Sequence, residues 1–378
     1  MYHVKTMNKI SKIGLAELDD RFEISDTMEH EDAILVRSAK LHDYDFPAEL
    51  KCIARAGAGV NNIPLDRAAD AGIVVFNAPG ANANGVKELT IAALLLASRK
   101  ISQGITWVKE QSAAGADVAA VVEKGKSAYV GPEIQGKTLG VVGLGAIGVL
   151  VANAAAALGM KIVGYDPFLS VTHALNLTPG VEVVDTLPEL YAKADYISLH
   201  LPMNDATRGT LNEAAFAAMK DGVRIVNLAR GELVDTPALK AALDSGKCAA
   251  YVTDFPNSET AAMEGVVAIP HLGASTPESE DNCAMMAARE VKEYLDNGSI
   301  INSVNLPNLT MAWAAKTRVC VISKGADAAA IAGAVPAVAS ASNTRGEYAY
   351  TILDTDAAVD EAAIAAIPGV LRVRVLTR

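Results

Sequence analysis

Cysteine, aromatic residues, excess positive charge and long apolar runs are all scarce in this chain. Its four cysteines, Cys52, Cys248, Cys283 and Cys320, are scattered through 378 residues with no C-x-x-C pair. That spacing gives neither a disulfide framework nor a zinc site, so no metal is expected. Small buried thiols in a reducing compartment are expected instead. Aromatic residues make up 5% of the chain, so the core must be built from Ala, Val, Ile and Leu. The most apolar stretch, Leu89 to Ala97, is far too short to cross a bilayer. Met1 to Leu18 carries Lys5, Lys9 and Lys12 without an apolar run, which does not fit a signal peptide. These absences lead to the expectation of a soluble cytoplasmic protein. Lys+Arg is 33 against Asp+Glu 44, a net charge of -11, which argues against nucleic-acid and anionic-membrane partners. A small anionic ligand is still compatible, because dispersed surface charge is screened beyond roughly 8–10 Å.

What is present is a repeating pattern. Hydrophobic residues are 51% and charged residues 20%, the balance of a globular chain. At roughly 150 residues per domain, two or three domains are expected. Short apolar runs recur at Ala33–Val36, Cys52–Ala54, Ile73–Phe76, Leu139–Val142 and Lys161–Tyr165. They continue at Tyr196–Leu199, Arg224–Leu228, Ala249–Val252 and Val266–Ile269, each followed by a helical pattern. Continuous apolar runs suit parallel strands buried on both faces, and the alternation with helices implies doubly wound sheets. Past residue 305 the alternation breaks. Strands are expected at Arg318–Ser323, Tyr348–Leu353 and Leu371–Leu376, with helices at Asp327–Ala334 and Asp360–Ile367. That order fits a small ferredoxin-like α+β unit. The expected fold is therefore α/β, with two doubly wound parallel-sheet domains of Rossmann or flavodoxin-like type and a ferredoxin-like tail. The helix Val86–Lys100 is expected to bury Leu89, Ala92, Ala93 and Leu96 on one face.

One motif carries a nucleotide signal. Gly143, Gly145 and Gly148 fit G-x-G-x-x-G, directly after the strand ending at Val142 and at the start of a helix reaching about Leu158. One glycine makes the tight turn, one lets backbone approach a pyrophosphate, and one lets helix pack on strand. The helix N-terminus then offers unpaired N–H groups to phosphate. Asp166 ends the next strand, about 20 residues on, where an acid binds a ribose 2′-OH and repels a 2′-phosphate. NAD is thus favoured over NADP.

Hydride transfer to nicotinamide also needs a base for the hydroxyl proton and a cation for a carboxylate. Of the six histidines, His3, His30, His42 and His173 stand in polar or terminal contexts, and His200 closes a strand. His271 stands just past a strand, at the edge where open α/β sheets bind ligands. Arg230 and Glu259 likewise follow strand ends in the same half of the chain. Taken singly, each could be an ordinary loop residue.

Taken in order, the residues resemble a family. GLGAIG at 143–148, Asp166, His200 to Pro202, LARGELVD at 228–235, Glu259 and HLGAST at 271–276 are similar to the D-isomer-specific 2-hydroxyacid dehydrogenases. Lys5 to Ile10, Val36 to Ala39, Arg55 to Ile63, Asn77 to Asn82 and Arg372 to Leu376 narrow the resemblance to members acting on 3-phosphoglycerate. It covers almost the whole chain. It implies a substrate-binding domain from 1–100 and 276–310, wrapped around a NAD-binding domain at 101–275. It implies that His271 is the general acid/base, that Glu259 hydrogen-bonds it, and that Arg230 holds the substrate carboxylate. A planar guanidinium fork matches a carboxylate, and a carboxylate beside imidazole orients it. Gly143, Gly145, Ala146, Ile147, Gly148, Asp166, His200, Pro202, Thr207, Leu228, Ala229, Asp254, Gly273 and Ala274 match cofactor-lining motifs. For the substrate phosphate, Arg37 and Arg55 are the candidates, with Gly57, Ala58, Gly59 and Asn82 adding backbone and amide contacts. Surface salt bridges are the alternative role for both arginines.

The chain departs from the family in two places. The usual Glu-Pro is Glu259-Thr260, and the segment to His271 is short, which leaves Glu264 as a rival for the acid's role. The tail at 315–378 resembles an ACT domain, a module that binds amino-acid effectors at paired interfaces. Its first loop, Ser323 to Asp327, lacks the usual Asn-x-x-Pro-Gly pattern, so a structural or dimerising tail is an equal alternative. The family uses the region 86–100 in a dimer, so a homodimer or higher homo-oligomer is implied.

Overall fold

A computed structural model describes residues 1–378. The chain forms two compact units, Met1–Asn82 with Pro277–Arg378, and Ala83–Thr276. In the first unit, β1 (Tyr2–Met7), β2 (Phe22–Ser25), β3 (Ala33–Val36), β4 (Cys52–Arg55) and β5 (Val74–Asn77) make a parallel sheet in the order β2-β1-β3-β4-β5. The apolar runs at β3 and β4 are explained by burial on both faces. Ile34, Val36, Ile53 and Val75 pack with Ala68 of the helix Leu65–Asp70. Leu35, Ala54, Val74 and Phe76 pack with Ala284, Ala287, Val291 and Tyr294 of the long helix Pro277–Asn297.

The second unit holds β6 (Thr138–Val142), β7 (Lys161–Tyr165), β8 (Glu182–Val183), β9 (Tyr196–Leu199), β10 (Val223–Asn227), β11 (Cys248–Thr253) and β12 (Val266–Ala268). All are parallel, in the order β12-β11-β10-β9-β6-β7-β8. From β6 the chain adds strands first on one side and then on the other. The reversal leaves a crevice between β6 and β9, where doubly wound sheets bind ligands.

The helix Ala83–Ser98 belongs to this second unit. Val86, Thr90, Ala93, Leu94 and Ala97 are buried, and the expected Leu89 and Leu96 pack partly buried on the same core, while Ala92 is exposed. Ala93 and Ala97 share this core with Ala152 and Ala155 of the helix Ala146–Ala157. The following helices, Ile101–Ala113 and Val118–Gly125, bury no residue. Trp107 stacks on Tyr129 at 5.5 Å within this excursion, while Ile101, Ile105 and Val108 stay exposed.

The tail contains β13 (Thr317–Lys324), β14 (Ala339–Arg345), β15 (Tyr348–Thr355) and β16 (Val370–Thr377), with helices Ala328–Gly333 and Glu361–Ala365. The sheet is antiparallel in the order β14-β15-β13-β16, the ferredoxin-like arrangement expected. Alternation sends its side chains two ways. Val319, Val321 and Leu353 meet the tail's own Ile331 and Ile364. Cys320, Ile322, Tyr350 and Ile352 join the core of the first sheet. The same inner face closes the C-terminal end of the long helix. Arg318 donates to Asn297 O at 2.8 Å, Arg374 to Tyr294 O and Leu295 O at 3.0 and 2.9 Å, and Tyr350 to Gly298 O at 2.6 Å. The last carbonyls of a helix lack intrahelical partners and carry partial negative charge, so cations suit them.

Candidate active site

The strands of the second sheet end almost level. Val142, Leu199, Asn227, Thr253 and Ala268 stand in one row, and Val142 pairs with Tyr165 on its other side. Gly143, Asp166, His200, Leu228, Asp254 and His271 each follow this row within a few residues. The shared edge is a consequence of parallel strands: every βα loop leaves on the same side.

The three glycines occupy three different environments. Gly143 has φ +94°, and a Cβ there would lie 2.6 Å from His200 O. At Gly148 a Cβ would lie 1.9 Å from Gly143 O, so only glycine lets the helix sit this close. At Gly145 nothing stands within 4 Å of the Cβ position. That open cradle sits at the N-terminus of the helix Ala146–Ala157, where no side chain caps Ala146 and Ile147. Open space beside uncapped N–H groups fits a dinucleotide pyrophosphate. Asp166 accepts from Leu144 N at 2.9 Å and Phe168 N at 2.8 Å, one bond to each oxygen. Each oxygen keeps a lone pair for a ribose hydroxyl.

His200 shares a hydrogen bond of 2.9 Å with Ser198 Oγ. Part of the residue is accessible, yet its ring lies deep enough that desolvation pushes the imidazole down to about 4. A ring neutral at pH 7 serves as a packing and hydrogen-bonding group, not as a charge. Thr207 donates to Pro202 O at 2.6 Å, folding the 202–207 loop back on itself. Asp254 is 1% exposed; its Oδ2 accepts from Gly273 N at 3.2 Å, and its Oδ1 has no partner. Burial pushes its carboxyl above the usual range. A buried acceptor without a donor fits an amide group such as the nicotinamide carboxamide.

Arg230 is shaped by Asn227, which sequence reasoning left out. Asn227 Nδ2 donates to Arg230 O at 2.8 Å and to Tyr251 Oη at 3.0 Å, and its Oδ1 accepts from Ala229 N at 3.2 Å. These bonds fix the turn that presents Arg230. Arg230 and His271 are both exposed, and both touch Phe255. The guanidinium lies 5.2 Å from its ring centre, and the His271 ring lies 4.3 Å from it.

Glu259 does not reach His271. Asn257 Oδ1 accepts from Glu259 N at 3.0 Å and Thr260 N at 2.8 Å, and this turn leaves the Glu259 carboxylate exposed. No hydrogen bond or ion pair joins the two residues, so the expected bond is absent in this conformation. After Glu259 the chain turns into the short helix Thr260–Ala262. Glu264 is no substitute. It lines a cleft with Asp244, Gly246 and Cys248 before β12, whereas His271 follows that strand.

The first unit has its own candidate edge. Val36, Arg55 and Asn77 are in register across β3, β4 and β5. Arg37 follows β3 and pairs with Glu280 at 2.8 Å, both groups about half exposed. Arg55 ends β4, and a Cβ on Gly57 would lie 2.4 Å from its Nη1, so this turn needs glycine. Asn77 Nδ2 donates to Ala58 O at 2.6 Å and holds the loop that contains Gly59. Asn82 lies on the segment after β5. Asn8 is a second residue that sequence reasoning missed. Its φ is +97°, and its Oδ1 accepts from Arg37, Ser38 and Ala39 N at 3.4, 3.0 and 2.8 Å. A strained asparagine thus closes the loop that presents Arg37. Only a single asparagine letter marks it in the sequence.

The chain is similar to several known proteins. Residues 91–273 match the NAD-binding domain of the D-isomer specific 2-hydroxyacid dehydrogenases. The D-3-phosphoglycerate dehydrogenase of Methanocaldococcus jannaschii is 36% identical over 315 residues, 81% of this chain and 58% of that protein. That of Mycobacterium tuberculosis strain H37Rv is 40% identical over 299 residues, 76% of this chain and 53% of that protein. The chain therefore spans a little over half the length of these relatives. Among solved structures, NAD+-bound 3-phosphoglycerate dehydrogenase of Entamoeba histolytica aligns with TM-score 0.62 and 26% identity, over 82% of this chain and 99% of that one. Apo D-mandelate dehydrogenase of Rhodotorula graminis aligns with TM-score 0.67 and 26% identity, over 82% and 99%.

Proposed function

The chain belongs to the D-isomer specific 2-hydroxyacid dehydrogenases, and on that premise we propose that it oxidises 3-phospho-D-glycerate to 3-phosphohydroxypyruvate with NAD, the first step of L-serine synthesis. The observation that carries this reading is the meeting of Arg230 and His271 on one ring, at the edge that also bears the glycine cradle.

In this reading bound NAD supplies the hydride acceptor. Gly145 and the N–H groups of Ala146 and Ile147 hold its pyrophosphate, Asp166 its ribose, and Asp254 Oδ1 its carboxamide. Arg230 binds the substrate carboxylate through its guanidinium fork and draws electron density from C2–O. An imidazole nitrogen of His271 takes the C2 hydroxyl proton. Glu259 assists His271 only after its loop moves, since the two are apart here. The substrate-binding domain takes the phosphate at Arg37, Arg55 and Asn82.

A second reading, oxidation of an unphosphorylated D-2-hydroxy acid, is favoured by the Arg37–Glu280 pair, because that cation already has a partner. NADH formation with 3-phosphoglycerate and with D-glycerate separates the two. A strong preference for the phosphorylated acid is expected. Equal kcat/KM values reject the phosphoglycerate assignment.

Two further assignments belong to the same reading. A second copy of the chain covers the exposed apolar residues of helices Ile101–Ala113 and Ala83–Ser98, giving a homodimer; a monomer in sedimentation rejects this. The ACT-like tail binds an amino-acid effector, and NADH formation unaffected by L-serine or other amino acids rejects that. No helix is long and apolar enough to cross a membrane. All four cysteines are free and buried, which supports a reducing compartment, the cytoplasm.

A further inference from the structure

Phe255 directly follows Asp254 at the end of β11 and is half-buried. Phe255 N donates to Thr253 Oγ1 at 3.1 Å, which holds its backbone at the strand end. Two exposed, flexible side chains lean on its ring. The Arg230 guanidinium carbon is 5.2 Å from the ring centre. The His271 ring centre is 4.3 Å away, with the planes tilted by 45°.

Neither side chain has another firm anchor. Arg230 makes one side-chain hydrogen bond, to its neighbour's Ala229 O at 2.6 Å. His271 makes no side-chain hydrogen bond or ion pair. In this conformation the aromatic ring is the one element common to both.

We propose that Phe255 is a positioning residue that holds Arg230 and His271 in a shared orientation, taking over the alignment that the displaced Glu259 does not provide. The inference rests on the roles given above to Arg230 and His271. The electron-rich ring face attracts the guanidinium. The tilted ring–ring contact limits imidazole rotation. An aliphatic residue of similar bulk fills the space without either effect.

The test uses the full-length protein with F255L and F255Y. F255L is expected to lower kcat/KM for 3-phosphoglycerate by about ten- to fifty-fold, the size of one cation–π and one aromatic contact together. The KM for the acid rises and the KM for NAD stays unchanged. F255Y restores kcat/KM to within about threefold, because the ring face is retained. Wild-type kcat/KM in F255L overturns the inference. So does a loss in F255Y equal to that in F255L, which makes the role one of packing alone. Wild-type protein inactive on every D-2-hydroxy acid tested overturns the proposed function itself, an outcome distinct from both.

Discussion

Two arginines of the tail, Arg318 and Arg374, and two of the candidate sites, Arg230 and Arg37, live under opposite conditions. Arg318 is fully buried, forks onto Asp354 at 2.8 and 2.9 Å, donates to Asn297 O and lies 4.4 Å over Trp313. Arg374 is 6% exposed, caps two carbonyls of the long helix and lies 4.4 Å over Tyr294. Arg230 is exposed with one local hydrogen bond, and Arg37 pairs with an exposed glutamate. The tail arginines have spent their donors on protein. The site arginines have donors to spare. Buried charge demands full pairing, whereas a ligand site needs capacity left over. The difference separates structural from functional cations although the side chain is the same.

The contrast can be broken from either end. The largest expected effect is on the site side: His271→Ala should lower kcat roughly 10²–10⁴-fold and leave the urea unfolding midpoint unchanged. Unaltered kcat removes His271 from proton transfer. Next, on the tail side, Arg318→Ala leaves the buried Asp354 carboxylate without its cation, with Ala314 N at 2.7 Å as its remaining donor. It should cost about 3–5 kcal/mol in urea unfolding, with kcat of the folded protein unchanged. A loss below about 1 kcal/mol shows that water pairs Asp354 instead.

Glu290 sharpens the comparison, because it is a buried carboxyl that is not fully paired and has no cation. It is 6% exposed; Oε1 accepts from Asn302 Nδ2 at 2.7 Å and Oε2 has no partner. Burial pushes its carboxyl up to about 8. The folded state therefore keeps a proton that the unfolded state releases above about 4.5. Stability should fall as pH rises from that value to about 8, by at most about 1.4 kcal/mol per pH unit, and then level off. Glu290→Gln should flatten the slope. An identical slope in urea midpoints assigns the pH dependence to other groups.

The smallest effect is expected at Asn8. Asn8→Ala frees three backbone N–H groups of the Arg37 loop and should raise the KM for 3-phosphoglycerate about tenfold. The KM for D-glycerate should stay constant. An equal rise for both acids means that the loop does not serve the phosphate.

Much of this was readable from the letters alone. Wherever a strand was buried on both faces, as at β3, β6 or β9, an apolar run announced it. β2, β8 and β14 were missed because they bury at most one residue each and carry no apolar run, and Ala339–Arg345 reads as a polar loop. β1 was missed because only Val4 among its residues is buried. The glycines at 143 and 148 were legible because backbone geometry forbids other residues there, and Gly145 because the motif spacing includes it. Phe255, Asn227 and Asn8 were not, because nothing local distinguishes a ring under two side chains or an amide oxygen among three N–H groups.

The sequence by itself determined the alternation of strands and helices, the nucleotide cradle and the candidate chemistry, since each rests on local periodicity or local steric need. Tertiary structure alone decided the rest. It welded the tail to the end of a helix and brought Phe255 against both Arg230 and His271. Each of these depends on which surfaces meet across long sequence separations. Such meetings are settled by packing density and by pairing every buried polar group, two conditions that no short window of residues contains.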